Sequence, residues 1–268
     1  MDTLGDRMKD FESAETERYA MPGLPIMVRL DGKAFHSFCR GFMKPFDMRL
    51  CCLMDATTKF LVEELNAVVG YCQSDEITLV LNNDNSESRP IFDGKFHKIT
   101  SVSASMATAY FNKKLGQAIP ERADTMAFFD SRVWNVPNQS EAANCIVWRE
   151  LDATRNAVQM AAQFYYSHNQ LQGKHTGELN ELLFAKGINF NDYPARFKRG
   201  AYFKRVTRLV KFSSDELEAL PPKHAARANP DLAFERSVVE NVEFPPLVKI
   251  KNKVGVLFNN EDPITNEE

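Results

Sequence analysis

The chain has 268 residues, 44% apolar and 26% charged, which is enough for one large folded domain and excludes wholesale disorder. The net charge of −3 provides no global basic field, so any nucleic-acid contact must come from a local basic patch. No stretch approaches the roughly 18 uninterrupted apolar residues of a membrane helix, Met1–Glu12 lacks the apolar core of a signal peptide, and Cys39, Cys51, Cys52, Cys72 and Cys145 form no CxxC pair. These features predict a cytoplasmic protein with reduced thiols, no membrane association and no zinc site.

In chain order, residues 1–23 are polar and are expected to cap or dock onto the domain. Ile26-Met27-Val28-Arg29-Leu30 reads as a buried strand ending at Asp31-Gly32. From Asp47 to Leu65, apolar residues recur at three- and four-residue steps behind an N-capping Asp47, which predicts a helix. The runs Val68–Cys72 and Ile77–Leu81, separated by Gln73-Ser74-Asp75-Glu76, predict a hairpin with carboxylates at its tip. Asn82–Pro90 reads as loop, Lys95–Leu115 as a second helix, and Ala127-Phe128-Phe129-Asp130 as the start of another strand.

The order β-α-β-β-α-β predicts an α+β fold of ferredoxin-like type, an antiparallel sheet with both helices on one face. Residues 1–138 are expected to form this catalytic unit. Residues 139–268 are expected to form an α/β extension packed on it, or to continue the same domain. Within that extension, 140–186 reads as helical, 194–212 as basic and strand-like, and the tail from Leu220 as rich in proline and turns.

In this topology the first strand and the hairpin can be neighbours, so Asp31, Asp75 and Glu76 can converge. Like charges held together repel unless compensated, and hard carboxylate oxygens favour Mg²⁺, a cation that also binds substrate phosphates. Two such ions can polarise the attacking and leaving oxygens of an in-line displacement. Gly32, without a side chain, would let backbone and nucleotide approach closely. Taken singly, Asp31-Gly32 also reads as a turn and Asp75-Glu76 as a solvated hairpin tip. Together in this topology the two readings stand level.

Leu4-Gly5-Asp6-Arg7-Met8-Lys9, Arg29-Leu30-Asp31-Gly32-Lys33-Ala34-Phe35-His36-Ser37-Phe38, Lys44-Pro45 and Gln73-Ser74-Asp75-Glu76 closely resemble the tRNA-His guanylyltransferase family, with Ile188–Asn191 and Lys198-Arg199-Gly200 extending the match. The resemblance implies a fold like the palm of DNA polymerases and an enzyme that is often a homotetramer. It implies nucleotide addition in the 3′-to-5′ direction to tRNA, after a 5′-monophosphate is activated with ATP or GTP. By position, Asp31, the Gly32 carbonyl and Asp75 would bind two Mg²⁺ ions, with Glu76 in support. Asp31, Gly32, Lys33, Ala34, Phe35 and His36, with Ser74 and Asp75, would cradle a nucleoside triphosphate. Lys44 would touch a triphosphate, and Lys95 and Lys98 a second one. Phe35 and His36 also read as packing residues, and the two lysines as a solvated helix face.

Where family members dedicated to tRNA-His carry HINNLYN, this chain has Thr154-Arg155-Asn156-Ala157-Val158-Gln159-Met160, which retains only Asn156. A family lysine before Asn180-Glu181 is replaced by Leu179. These departures resemble the "like-protein" branch, whose members add nucleotides templated by base pairing and repair truncated tRNA 5′ ends. Between Tyr193 and Phe212 stand seven basic residues and no acid: Arg196, Lys198, Arg199, Lys204, Arg205, Arg208 and Lys211, interleaved with aromatics. That segment is the expected RNA contact. It equally fits a basic strand pair with core aromatics. The competing functions are a dedicated tRNA-His guanylyltransferase, a palm-fold nucleotide cyclase without RNA substrate, and a non-catalytic RNA-binding protein.

Overall fold

Three segments dense in β-branched and aromatic residues form the centre: β1 (Ile26–Gly32), β2 (Val69–Gln73) and β3 (Glu76–Leu81). Their residues are buried almost without exception, as strands covered on both faces must be. β4 (Phe129–Asn135) pairs outside β1, and β5 (Ala201–Lys211) and β6 (Ala233–Val242) continue the sheet beyond β2. The result is one six-stranded antiparallel sheet in the order β4-β1-β3-β2-β5-β6. The computed structural model describes residues 3–81, 90–229 and 231–265. The loop expected at Asn82–Pro90 lies outside the described residues except for Pro90.

α1 (Leu4–Thr16) is capped by Thr3 and buries none of its residues. The expectation that the N-terminal segment docks onto its own domain is therefore corrected for this helix. α2 (Phe35–Phe38) is a single turn after β1. α3 (Met48–Glu64) starts at Asp47, whose carboxylate accepts the Arg49 amide, and α4 (Phe96–Ala118) follows the second hairpin strand. Both cover one face, where Val28, Leu30, Ile77 and Leu79 meet Leu53, Met54, Leu61 and Phe111. This matches the β-α-β-β-α-β expectation for the first half of the chain.

The other face is covered by α5 (Gln139–Tyr165), set against Met27, Val80 and Tyr71 through Ala142, Ile146 and Ala153. α6 (His168–Leu171), α7 (Thr176–Ala185) and α8 (Ala195–Arg199) follow it, and α7 and α8 join α5 in a third apolar cluster. α9 (Ser214–Ala219) and α10 (Ala225–Ala228) sit between β5 and β6, and α11 (Lys253–Phe258) returns to α5.

Two expectations change here. The basic stretch 194–212 opens with the short helix α8, not a strand, because Gly200 at φ 83° ends it and lets β5 begin. The tail contains the ten-residue strand β6, paired with β5 from Tyr202↔Val242 to Lys211↔Ala233. Only Ala201–Lys204 of β5 pairs with β2, so the rest of β5 and β6 projects as a two-stranded ribbon.

Candidate active site

The hairpin between β2 and β3 closes in two residues, Ser74 and Asp75, since Gln73 pairs directly with Glu76. Ser74 takes a left-handed φ of 47°, the conformation such tight turns demand. Register then does the rest. Asp31 on β1 stands opposite Glu76 on β3, and the Gly32 amide donates to the Asp75 carbonyl at 3.1 Å. Strand-end and hairpin-tip carboxylates are thereby brought to one edge of the sheet.

Asp31 and Asp75 face a cleft of about 630 Å³ that also draws on His36, Lys44, Asp47, Ser74 and Asn156. Neither carboxylate has a basic partner among the described residues. Burial pushes the Asp75 carboxyl up to about 6, and the charges of Asp31 and Glu76 push the same way. A site that holds two acids together at this cost is suited to a cation. The donors are carboxylate oxygens beside the Gly32 peptide, hard ligands that fit Mg²⁺. Among the described residues no three His, Cys, Asp or Glu side chains are placed to hold one ion, so solvent and substrate oxygens would complete its shell.

Glu76 lines the same cleft but, unlike them, has a basic partner. Its Oε1 accepts Arg149 Nε at 2.7 Å, and both side chains are about 10% exposed. Arg149 also reaches Asp152 at 3.0 Å and lies over the Trp148 ring at 4.5 Å. Glu76 anchors β3 to α5 through this pair, a supporting place beside the carboxylates of Asp31 and Asp75. Arg149 is a cleft residue that sequence reasoning missed. Its only signal was an arginine seven residues before Asn156.

The nucleotide cradle is partly redrawn. His36, Lys44 and Ser74 are exposed at the cleft. Phe35 touches the cleft but is 3% exposed, with its ring 4.9–5.7 Å from those of Phe38, Phe129 and Phe111. That ring also occupies the space beside Gly32: a Cβ there would meet Phe35 Cδ2 at 2.3 Å. Gly32 is required by core packing, which corrects the expectation that its space is kept for nucleotide. Lys33 and Ala34 are exposed, Ala34 at φ 57°, and do not line the cleft.

Lys95 and Lys98 are also outside it. Lys95 is the N-cap of α4, 3.7 Å from Glu17 and over the Tyr19 ring, while Lys98 lies over Phe92. The shared helix face expected of them is corrected, since Lys95 precedes the helix.

Of the expected RNA contacts, Arg196 is in the cleft wall, where it donates to Asp55 Oδ1 at 2.8 Å and to Cys72 Sγ at 3.2 Å. Lys204 is 3% exposed, bonds the Val256 carbonyl, and is drawn down to about 8 by burial. Arg205 donates to the carbonyls of Val62 and Glu63 at the end of α3. Burial corrects the assignment of Lys204, while Arg196 and Arg205 are partly buried and engaged within the fold. Lys198 bonds the Asn191 carbonyl. The Arg199 carbonyl accepts the Tyr71 hydroxyl at 2.7 Å. Arg208 is exposed on the ribbon and paired with Glu240.

A family model for tRNAHis guanylyltransferase (Thg1) matches residues 5–137. A bacterial tRNA(His) guanylyltransferase-like protein, solved in complex with ATP, superposes with a TM-score of 0.77 at 32% identity, covering 96% of this chain and 99% of that one. The chain belongs to the tRNAHis guanylyltransferase family. It is therefore a member of a nucleotidyltransferase family with the palm-like fold its sequence leads one to expect. The tRNA(His) guanylyltransferase of Candida glabrata is 29% identical over 80% of this chain and 95% of its own length. The Saccharomyces cerevisiae enzyme's crystal structure gives a TM-score of 0.66 at 27% identity, over 75% of this chain and 92% of that one.

Proposed function

We propose that this chain is a 3′–5′ nucleotidyltransferase that adds nucleotides to the 5′ end of tRNA, choosing each by pairing with the opposite strand. The observation that carries the reading is the pair Asp31 and Asp75, acids without a basic partner among the described residues, on a cleft large enough for a nucleotide, in a chain of this family. ATP or GTP would activate the 5′-monophosphate, as relatives solved with ATP and with GTP suggest. In that activation the RNA 5′-phosphate would displace pyrophosphate from the nucleotide; the 3′-hydroxyl of the incoming nucleotide then attacks the RNA 5′-phosphorus, breaking the new anhydride bond and releasing AMP or GMP.

Asp31, Asp75 and the Gly32 carbonyl would hold two Mg²⁺ ions. Bound there, the ions would neutralise phosphate charge and favour the attacking alkoxide. The chain itself supplies position. Lys44 and His36, exposed on the cleft, are placed for phosphate oxygens, and Ser74 presents the carboxylate-bearing turn. Orientation and fixed charge are the main protein contributions to phosphoryl transfer.

Template dependence is favoured over dedicated tRNA-His guanylylation because α5 carries Thr154–Met160 in place of HINNLYN. RNA is held in part by exposed Arg208 on the β5–β6 ribbon, with Lys198 and Arg199 nearer the sheet. The exposed apolar side chains Leu4, Met8 and Phe11 on α1 suit assembly into an oligomer, for which a homotetramer is our reading. No helix among the described residues is long and apolar enough to cross a membrane, and free thiols suit a cytoplasmic setting.

The test is a gel assay on 5′-monophosphorylated tRNA lacking its first nucleotide, with ATP, Mg²⁺ and matched or mismatched nucleotide. One-nucleotide growth only with the match, lost in Asp75→Ala, is expected. Growth on intact tRNA-His with G alone would assign the dedicated activity, and turnover of free nucleotides without RNA the cyclase.

A further inference from the structure

The cleft has two chemically different ends. At one lie Asp31 and Asp75. Along its wall runs α5, from Arg149, bonded to Glu76, through Ala153, Asn156, Ala157, Gln159 and Met160 to Gln163. Arg149 to Gln163 spans about 21 Å of helix axis at about 1.5 Å per residue, longer than one nucleotide. The far end is aromatic. Phe197 of α8 packs with Val158, Ala161 and Ala162 of α5, and Phe46 stacks on Phe197 with ring centroids 4.5 Å apart. Phe46 and Phe197 both line the cleft.

Asn156, Gln159 and Gln163 recur at helical spacing on the cleft side of α5, and all three side chains are exposed there. Among the described residues none has a side-chain hydrogen-bond partner. The fold elsewhere uses its carboxamides: Asn112 ties α4 to Ala127, Asn135 holds Leu24, Pro25 and Met21, and Asn252 holds Ile264. At the acidic end Gln73, 8% exposed and also lining the cleft, has no partner among the described residues either.

We propose that Gln159 and Gln163, which line the same cleft as Phe46 and Phe197, hold the base of the incoming nucleotide whose phosphates lie at the Asp31–Asp75 end. This assignment rests on the nucleotidyltransferase reading above. It adds the direction of the nucleotide in the cleft and the way its base is held. Each carboxamide carries one acceptor oxygen and two donor hydrogens and can rotate, so it finds a partner on the edge of any of the four bases. An aromatic wall is equally tolerant, because every base has a π-face. A wall of carboxamides and phenyl rings therefore binds the base without reading its identity, and leaves the choice to pairing with the template. A charged wall would favour some bases over others, and α5 presents none beyond Arg149, whose charge is engaged by Glu76 and Asp152.

The test compares wild type with Gln159→Met/Gln163→Met, a change that keeps side-chain length and helix propensity on an exposed face. Addition is measured for ATP, CTP, GTP and UTP, each opposite its matching template base, and calorimetric titration measures binding of each nucleotide to the protein with Mg²⁺. The expected result is a KM and Kd raised about tenfold for all four nucleotides, consistent with about two lost hydrogen bonds, with kcat within about twofold. A second pair, Gln159→Glu/Gln163→Glu, should make the four nucleotides unequal, since a carboxylate accepts but does not donate. Unchanged KM and Kd in the Met pair would overturn the assignment, as would a loss confined to one base. If wild type adds nothing to RNA but its nucleotide Kd still rises equally in the Met pair, the templated-addition reading falls while the base wall stands.

Discussion

Arg149 Nε sits 2.7 Å from Glu76 Oε1, joining β3 of the carboxylate-bearing hairpin to the helix that walls the cleft. Removing one member of such a buried pair strands the other charge, at a cost of about 3–5 kcal/mol. Arg149→Met should therefore lose stability on that scale in urea unfolding. Glu76→Gln/Arg149→Met should regain most of it, because no charge is left unpaired. Equal losses in the single and double variants would mean that Arg149 acts through its packing on Trp148 instead.

Asp75 makes a pH-dependent contribution with a defined sign. Burial raises its carboxyl from 3.8 to about 6, so the folded protein holds this proton more tightly than the unfolded chain. Its contribution to stability is full below pH 3.8 and is lost as pH rises through about 6. In metal-free protein the stability difference between wild type and Asp75→Asn should fall across that window and stay flat above it. Added Mg²⁺ at pH 7.5 should raise the melting temperature of wild type more than that of the variant. An equal rise in both would put the ion elsewhere.

Arg205 and Arg208 separate structure from RNA contact. Arg205→Glu removes donors to the last carbonyls of α3 and should destabilise the fold. Arg208→Glu breaks an exposed pair with Glu240, where solvent screens the attraction. It should leave the unfolding midpoint nearly unchanged while lowering RNA affinity and reducing the salt slope by about 1. RNA affinity equal to wild type at low salt would remove the ribbon from the RNA surface.

Gly32 is held to glycine by Phe35. An added Cβ would sit 2.3 Å from the ring, a clash that a buried core absorbs poorly. Gly32→Ala should cost about 1–3 kcal/mol, and Phe35→Leu in the same chain should return part of it. If Gly32→Ala abolished activity with no loss of stability, the close approach at this position would belong to substrate and not to packing.

How much of this was legible can be argued residue by residue. The sequence by itself determined the local elements. Short apolar runs marked β1, β2 and β3, a capping Asp47 and three- and four-residue steps marked α3, and the four-residue polar gap Gln73–Glu76 marked the hairpin that carries Asp75. Those signals are local, since they depend on neighbours within a turn or a strand. The motifs around Asp31 and Asp75 also sufficed for the family, because register alone brings a strand end and a hairpin tip together.

Only the tertiary structure decided which charges are spent on the fold. Glu76 and Arg149 are 73 residues apart, and Arg196 and Asp55 are 141 apart. No periodicity encodes such partners. They are set by where α5 and α8 lie on the sheet. The basic run Arg196–Lys211 looks uniform as sequence, yet burial turns Arg196, Lys204 and Arg205 inward and leaves Arg208 outside. Alternation along β5 cannot distinguish these fates, because β2 covers only its first four residues. The same is true of the cleft wall: Gln159 and Gln163 are ordinary helical polar residues until α5 is laid across the carboxylates.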